Sequence, residues 1–267
     1  MRANFHTHST YCDGQLIPEE MVKAAIAQGC TALGFSGHSY EPIDDEMPCM
    51  SRDGTREYMR EVTRLREKYA GEIEIFLGIE LDYYSDWPTE GFDYILGAVH
   101  YVKVGEDYVA VDDGATAQHR AAQTYFGGDY YAMAERYFET VAKIDKADII
   151  GHFDLITKYN FDGKLFDESH PRYVTAALTA MDEVLKSHRL FEVNTGAMFR
   201  LGRPEPYPSL FLLRELQKRG GEVILSSDSH EAESLCYKFI EMRDLLRGIG
   251  FKYVKHLTRD GFVDCLC

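Results

Sequence analysis

Short apolar runs along the chain alternate with longer segments whose apolar positions recur at helical spacing. That alternation is the signature of repeated strand-helix units around a parallel sheet. Strands are predicted over Ala3–His8, Ala32–Ser36, Ile73–Glu80, Tyr94–His100, Asp148–His152, Leu190–Asn194 and Glu222–Ser227. Between them, helices are predicted over Pro18–Gln28, Thr55–Tyr69, about Tyr130–Lys143, Pro171–Ser187 and Ser209–Arg219. Proline in the first turn of one and glycine just beyond the end of another are the expected punctuation. Residues 40–53 and 102–128 break the rhythm as long connections rich in Asp, Gly and Tyr, which are candidates for a pocket wall or lid as much as for solvated loops.

At 267 residues and 45% hydrophobic composition the chain can fill one α/β barrel, which takes roughly 250 residues, so one domain over 1–267 is expected. Twenty-nine basic residues against 44 acidic give a net charge of −15, which opposes binding to nucleic acid or to anionic membranes. An anionic substrate would then need local positive charge, and metal ions held by some of the ten histidines and many carboxylates are one source of it. The first residues lack the apolar stretch of a signal peptide, and no segment approaches the roughly 18 apolar residues of a membrane span. The six cysteines form no Cys-x-x-Cys pair. A soluble cytoplasmic protein with reduced thiols is the expectation.

Where each predicted strand stops carries the chemistry. The first ends at His6-x-His8, the second runs into Gly37-His38, and the next three end at Glu80, His100 and His152. The last runs into Asp228-x-His230. Side chains two apart on a strand share a face, so His6 and His8 can hold one ion together. In α/β barrels the C-terminal strand ends gather at one rim, so these residues should converge there. One such pair says little, but six strand ends finishing in ligand types point to a metal site.

His6-Thr7-His8-Ser9 with Asp13, Gly37-His38-Ser39, Gly78-Ile79-Glu80-Leu81-Asp82, Gly97-Ala98-Val99-His100, Gly151-His152-Phe153-Asp154, Glu192-Val193-Asn194-Thr195 and Ser227-Asp228-Ser229-His230 resemble, in order, the motifs of the polymerase and histidinol phosphatase (PHP) family. Length, the Glu205-Pro206-Tyr207-Pro208 segment and the Tyr-rich middle resemble its histidinol-phosphatase branch. The resemblance implies a distorted seven-stranded (β/α)7 TIM-like barrel with three divalent metal ions, zinc, manganese or iron. It implies a first ion on His6, His8, Glu80 and Asp228, a second on His100 and His152 with Glu80 bridging, and a third on Asp13, His38 and His230. Asp13 stands where several family members carry histidine, and a carboxylate there hardens the site toward manganese or iron.

The activity so implied is hydrolysis of L-histidinol phosphate in histidine biosynthesis, by a metal-bridged hydroxide attacking phosphorus in line. Another small phosphate ester or a nucleotide is the alternative substrate. Glu80, Asp228 and His230 are the candidate catalytic residues, and a small phosphorylated molecule is the expected partner. Arg200 and Lys158, in loops beyond strand ends, stand where the family places phosphate contacts, with Arg203 a further basic candidate. His119, in the central connection, is the candidate contact for the organic part of the substrate. Asp154 and Glu192 are candidates for orienting a ligand imidazole. His170, His188 and His256 are read as structural or exposed.

Overall fold

The computed structural model describes residues 2–43, 48–160 and 163–267. Nine strands form one sheet: β1 (Ala3–Asn4), β2 (Ala32–Phe35), β3 (Glu74–Asp82), β4 (Tyr94–Ala98), β7 (Ile149–Ile150), β8 (Leu190–Asn194), β9 (Glu222–Ser226), β10 (Tyr253–Thr258) and β11 (Gly261–Leu266). A separate hairpin, β5 (Tyr101–Val104) with β6 (Asp107–Ala110), leaves the end of β4. In the large sheet, β1-β2-β3-β4-β7-β8-β9-β10 pair in parallel, and β11 closes the order antiparallel to β10. The sheet curls until its first strand meets its seventh: Thr7 bridges Ser229, and the His8 amide donates to the Ser229 carbonyl at 2.8 Å.

The seven predicted strands are therefore all present in the expected order, but the sheet has nine. The two extra strands are a C-terminal hairpin turning at Arg259-Asp260. The 102–128 connection is likewise not a bare loop. It holds most of the β5–β6 hairpin and helix α3 (Ala115–Phe126), because Val102 and Val109 supply a strand-like apolar pair and Gln118, Ala121 and Ala122 a short buried helical face. Part of the 40–53 connection, residues 44–47, lies outside the described residues.

Helices α1 (Pro18–Ala27), α2 (Arg52–Lys68), α4 (Tyr130–Val141), α5 (Pro171–Val184), α7 (Leu210–Lys218) and α8 (Phe239–Ile249) are amphipathic, with the short α6 (Gly196–Arg200) after β8. Helix α2 begins three residues before its predicted start because the Ser51 hydroxyl accepts from the Gly54 amide at 3.0 Å, an N-cap. Its Tyr58, Val62 and Leu65 are fully buried, and the helix packs on β3. Helix α4 is capped by Asp129, whose carboxylate accepts from Tyr131 and Ala132.

Two apolar layers result. The larger lies between sheet and helices, and the smaller, built on Phe5, Phe76, Tyr94, Leu96, Ile149, Leu190 and Ile224, takes one face of successive strands. Tyr94 spans the inside of the curl, its hydroxyl 2.7 Å from the Phe5 carbonyl and 3.1 Å from that of Phe35. Gly78 makes room for it: a Cβ there would meet the Tyr94 ring at 2.2 Å.

Candidate metal centre

Along β4 and the residue after it, Tyr94, Leu96 and Ala98 point into the inner apolar layer, and His100 is two residues further on. Along β3 the same parity runs Phe76, Gly78, Glu80, and along β9 and beyond it runs Ile224, Ser226, Asp228. The period of two thus carries an apolar inner face up to a polar rim. Asp228 takes φ of 47°, a left-handed conformation that costs a non-glycine residue on the order of 1–3 kcal/mol.

At the rim the predicted side chains meet. His6 Nε2 lies 3.3 Å from Glu80 Oε2 and 3.6 Å from Asp228 Oδ1, while His8 Nε2 lies 3.6 and 3.1 Å from the same two oxygens. On the other side of Glu80, Oε1 is 2.7 Å from His152 Nε2 and 3.4 Å from His100 Nε2. Asp13 Oδ2 is 2.9 Å from His230 Nε2 and 3.6 Å from His38 Nε2. Ligand atoms lie mutually within 4.8 Å in three overlapping groups: His6, His8 and Asp228; His8, Asp13, His38 and His230; and His38, Glu80 and His100. His38 differs from the expected partition, since its Nδ1 approaches Glu80 Oε2 at 2.9 Å and ties the last two groups together.

These residues fit metal ions. His6 Nε2, His8 Nε2, Glu80 Oε2 and Asp13 Oδ1 are buried with no hydrogen-bond partner among the described residues. Orphaned buried polar atoms are costly unless something fills the space between them. Burial alone would push the Glu80 carboxyl up, yet the imidazoles of His38, His6 and His100 hold it well below the usual carboxylate range. For His6, burial lowers the pKa, but the charges of Glu192, Asp228 and Glu80 raise it to about 10. Without metal the carboxylates thus hold a proton where a cation would sit.

Around the ligand types lies a layer that aims them. Glu192, fully buried, accepts from His6 Nδ1 at 2.5 Å and from the His152 amide at 2.7 Å, so it both turns the His6 ring and pins the end of β7. Asp82 does the same for His100, taking its amide at 2.7 Å and facing Nδ1 at 3.2 Å. Asp82 stands two residues after Glu80 on the same strand, within the Gly78–Asp82 motif, and so shares its face. His230 Nδ1 lies 2.9 Å from the Asp228 carbonyl and 2.5 Å from Arg200 Nη1, while Nε2 meets Asp13. Asp154 does not hydrogen-bond the His152 ring, whose Nδ1 has no partner among the described residues; Asp154 Oδ2 accepts from the Ser209 amide at 3.0 Å.

A cavity of about 190 Å³ opens over these groups, and Arg200, Lys158 and Asp112 line it beside the ligand types. Arg200 Nη2 donates to Asp228 Oδ2 at 2.9 Å, and Lys158 Nζ to Asp112 Oδ2 at 2.9 Å. Asp112, on the segment that follows β6, had no signal in the sequence. Arg203 is buried elsewhere, donating to the Thr157 carbonyl at 2.8 Å and stacking on Tyr207. His119 is not brought to the cavity. Helix α3 turns Gln118, Ala121 and Ala122 inward, so His119 faces solvent, 2.5 Å from the Tyr130 hydroxyl. His170 caps α5, His188 sits between the carbonyls of Ala147 and Ile144, and His256 packs edge-on to Phe5, all away from the rim.

Known proteins place this arrangement. The PHP domain family matches residues 4–196. The chain is 29% identical to the probable histidinol-phosphatase of Deinococcus radiodurans over 268 residues, covering 93% of this chain and 94% of that one. It is 20% identical to the histidinol-phosphatase of Bacillus subtilis over 261 residues, covering 88% and 95%. Its fold matches the histidinol phosphate phosphatase of Lactococcus lactis, solved with zinc, L-histidinol and phosphate, with a TM-score of 0.72 and 20% identity over 98% of both chains. The matched stretch holds every candidate metal ligand except Asp228 and His230, and the chain belongs to the PHP family.

Proposed function

We propose that the chain is a metal-dependent phosphoric monoester hydrolase that converts L-histidinol phosphate to L-histidinol and phosphate. The observation that carries this reading is the set of imidazoles and carboxylates gathered from six strand ends, several with buried atoms left unpaired, with two cations on the rim above them. Similarity over nearly full length to proteins named histidinol-phosphatases supports the choice of ester.

His6, His8, Glu80 and Asp228 would hold one divalent ion, His100 and His152 a second with Glu80 shared, and Asp13, His38 and His230 a third. Bound there, zinc, manganese or iron supplies Lewis acidity, lowering the pKa of water and neutralising charge on phosphoryl oxygens during in-line displacement. The chain's own part is positional. Glu80 and Asp228 set the spacing of the cluster, Glu192 and Asp82 fix two of its imidazoles, and His230 sits where the ligand cluster meets Arg200. Arg200 offers a planar guanidinium and Lys158 an ammonium to the phosphate. Burial lowers the Lys158 pKa, but Asp112 more than reverses this, so the ammonium stays charged at neutral pH.

The nine-stranded sheet is best read as the family's seven-stranded barrel extended by a C-terminal hairpin, with 1–267 as one unit. No helix among the described residues is long and apolar enough to cross a membrane, and all six cysteines are free thiols, which supports a cytoplasmic reading. The test is turnover of L-histidinol phosphate against a panel of monoesters and nucleotides, with metal content measured on the same sample. A clear preference for L-histidinol phosphate is expected. Equal or better rates on the panel, or an active protein devoid of metal, would sink the reading.

A further inference from the structure

Asp112 is the one acid in the cavity lining that belongs to none of the three groups of ligand atoms. Its backbone is held from three sides. The preceding Val111 amide donates to the His100 carbonyl at 2.9 Å, and Gln118 Nε2 ties the Val111 carbonyl at 3.2 Å to the Ile156 carbonyl at 2.7 Å. The Tyr159 hydroxyl donates to the Asp112 carbonyl at 3.0 Å. The carboxylate is therefore built into the wall. Its side chain is 20% exposed and that of Lys158 is 18% exposed, so the pair faces the cavity without being sealed from it.

An acid lining a phosphate cavity needs a reason, because it repels the dianion that Arg200 and Lys158 attract. We propose that Asp112 is a specificity residue that recognises a substrate ammonium on the carbon next to the phosphoester carbon. This rests on the proposed function and deepens it. The geometry supplies the order of charges. A phosphate drawn to Lys158 places the group two carbons from the ester oxygen near the neighbouring carboxylate, and an ammonium there makes a second charge-assisted contact with Asp112. The alternating row of phosphate, Lys158, Asp112 and substrate ammonium leaves each charge beside its opposite. A phosphate ester that lacks the amine makes no such contact with Asp112, so the residue selects amino-alcohol phosphates over plain ones.

The experiment compares wild type, Asp112→Asn and Asp112→Ala on L-histidinol phosphate and its des-amino analogue. Binding of the two product alcohols is measured by calorimetry alongside. Wild type is expected to prefer the amine-bearing ester by about tenfold or more in kcat/KM, the size of a partly exposed charged contact. Both variants should erase that ratio, with the loss for the amine-bearing ester in KM and a matching loss of preference for L-histidinol in calorimetry. An equal loss on both esters would overturn the proposal, since Asp112 would then act only by restraining Lys158. A wild type that binds both alcohols equally would overturn it too. Failure to hydrolyse L-histidinol phosphate at all would instead strike the proposed function, and the calorimetric preference would still decide the role of Asp112.

Discussion

The inner face of the sheet has a floor and a rim, and the same strands build both. On the floor, Phe5, Phe76, Tyr94, Leu96 and Ile224 fill one another's space, and the one polar atom among them, the Tyr94 hydroxyl, reaches backbone carbonyls. Further up the same strands, His6, His8 and Glu80 crowd together with two nitrogens and an oxygen left unpaired. Packing satisfies the floor by itself. The rim is satisfied only by something added, so stability and function separate by height along a strand rather than by element.

That separation can be attacked from below first. Phe76→Ala removes a ring packed edge-on to Phe5 at 5.8 Å between centroids, and should destabilise the metal-loaded protein by about 3–5 kcal/mol in chemical unfolding. The metal content of the protein that remains folded should not change. Loss of metal in step with stability would mean that floor and rim are not separable. Glu80→Gln attacks from above: it keeps the volume but removes the charge shared by two sides of the cluster. It should lower kcat/KM on the order of a hundred- to a thousandfold, with the unfolding midpoint of the metal-free protein moving far less than for Phe76→Ala.

The floor was the more legible part in the sequence, and the reason is periodicity. β3, β4, β8 and β9 are short, mostly apolar runs buried on both faces, legible as strands, and the period of two that carries Phe76, Leu96 and Ile224 leads on to Glu80, His100 and Asp228. The ends of β1 and β7 were readable only as motifs, since each strand is two residues long. The hairpins β5–β6 and β10–β11 have a glycine at the turn, Gly105 and Gly261, but the runs beside these turns are short and mixed in polarity, so they look like loops or tails. Asp112 and the turned-away His119 could not be read at all. Their places depend on how a hairpin and a helix dock against the 155–159 turn, which no local pattern encodes.

Between floor and rim stand the residues that aim ligands, and they should show an intermediate effect. Asp82→Asn and Glu192→Gln keep size but weaken the hold on His100 and His6, and each should lower metal affinity by about 10–100-fold in competitive chelator titrations. The expected loss is smaller than for Glu80→Gln because the ligand atoms themselves remain. If either variant binds metal as tightly as wild type, its hydrogen bond to the imidazole contributes only packing.

The smallest signal is a proton. In the metal-free protein, burial works against a charged His6, but Glu192, Asp228 and Glu80 raise its pKa to about 10. Unfolded, the same imidazole titrates near its ordinary value of about 6.5. The folded-state pKa is the higher one, so the contribution of His6 to metal-free stability is full below about pH 6.5 and is lost as pH rises through about 10. A metal ion needs the neutral imidazole, so binding between these limits must release that proton, and affinity should rise with pH. Calorimetry at pH 8 in buffers of different ionisation enthalpy should report at least one proton released per protein on loading. Phe76 carries no titrating group, so Phe76→Ala should leave the count unchanged while His6→Ala lowers it. A release of zero in wild type would mean that the rim does not hold a proton in place of the missing cation, and that its orphaned atoms are satisfied some other way.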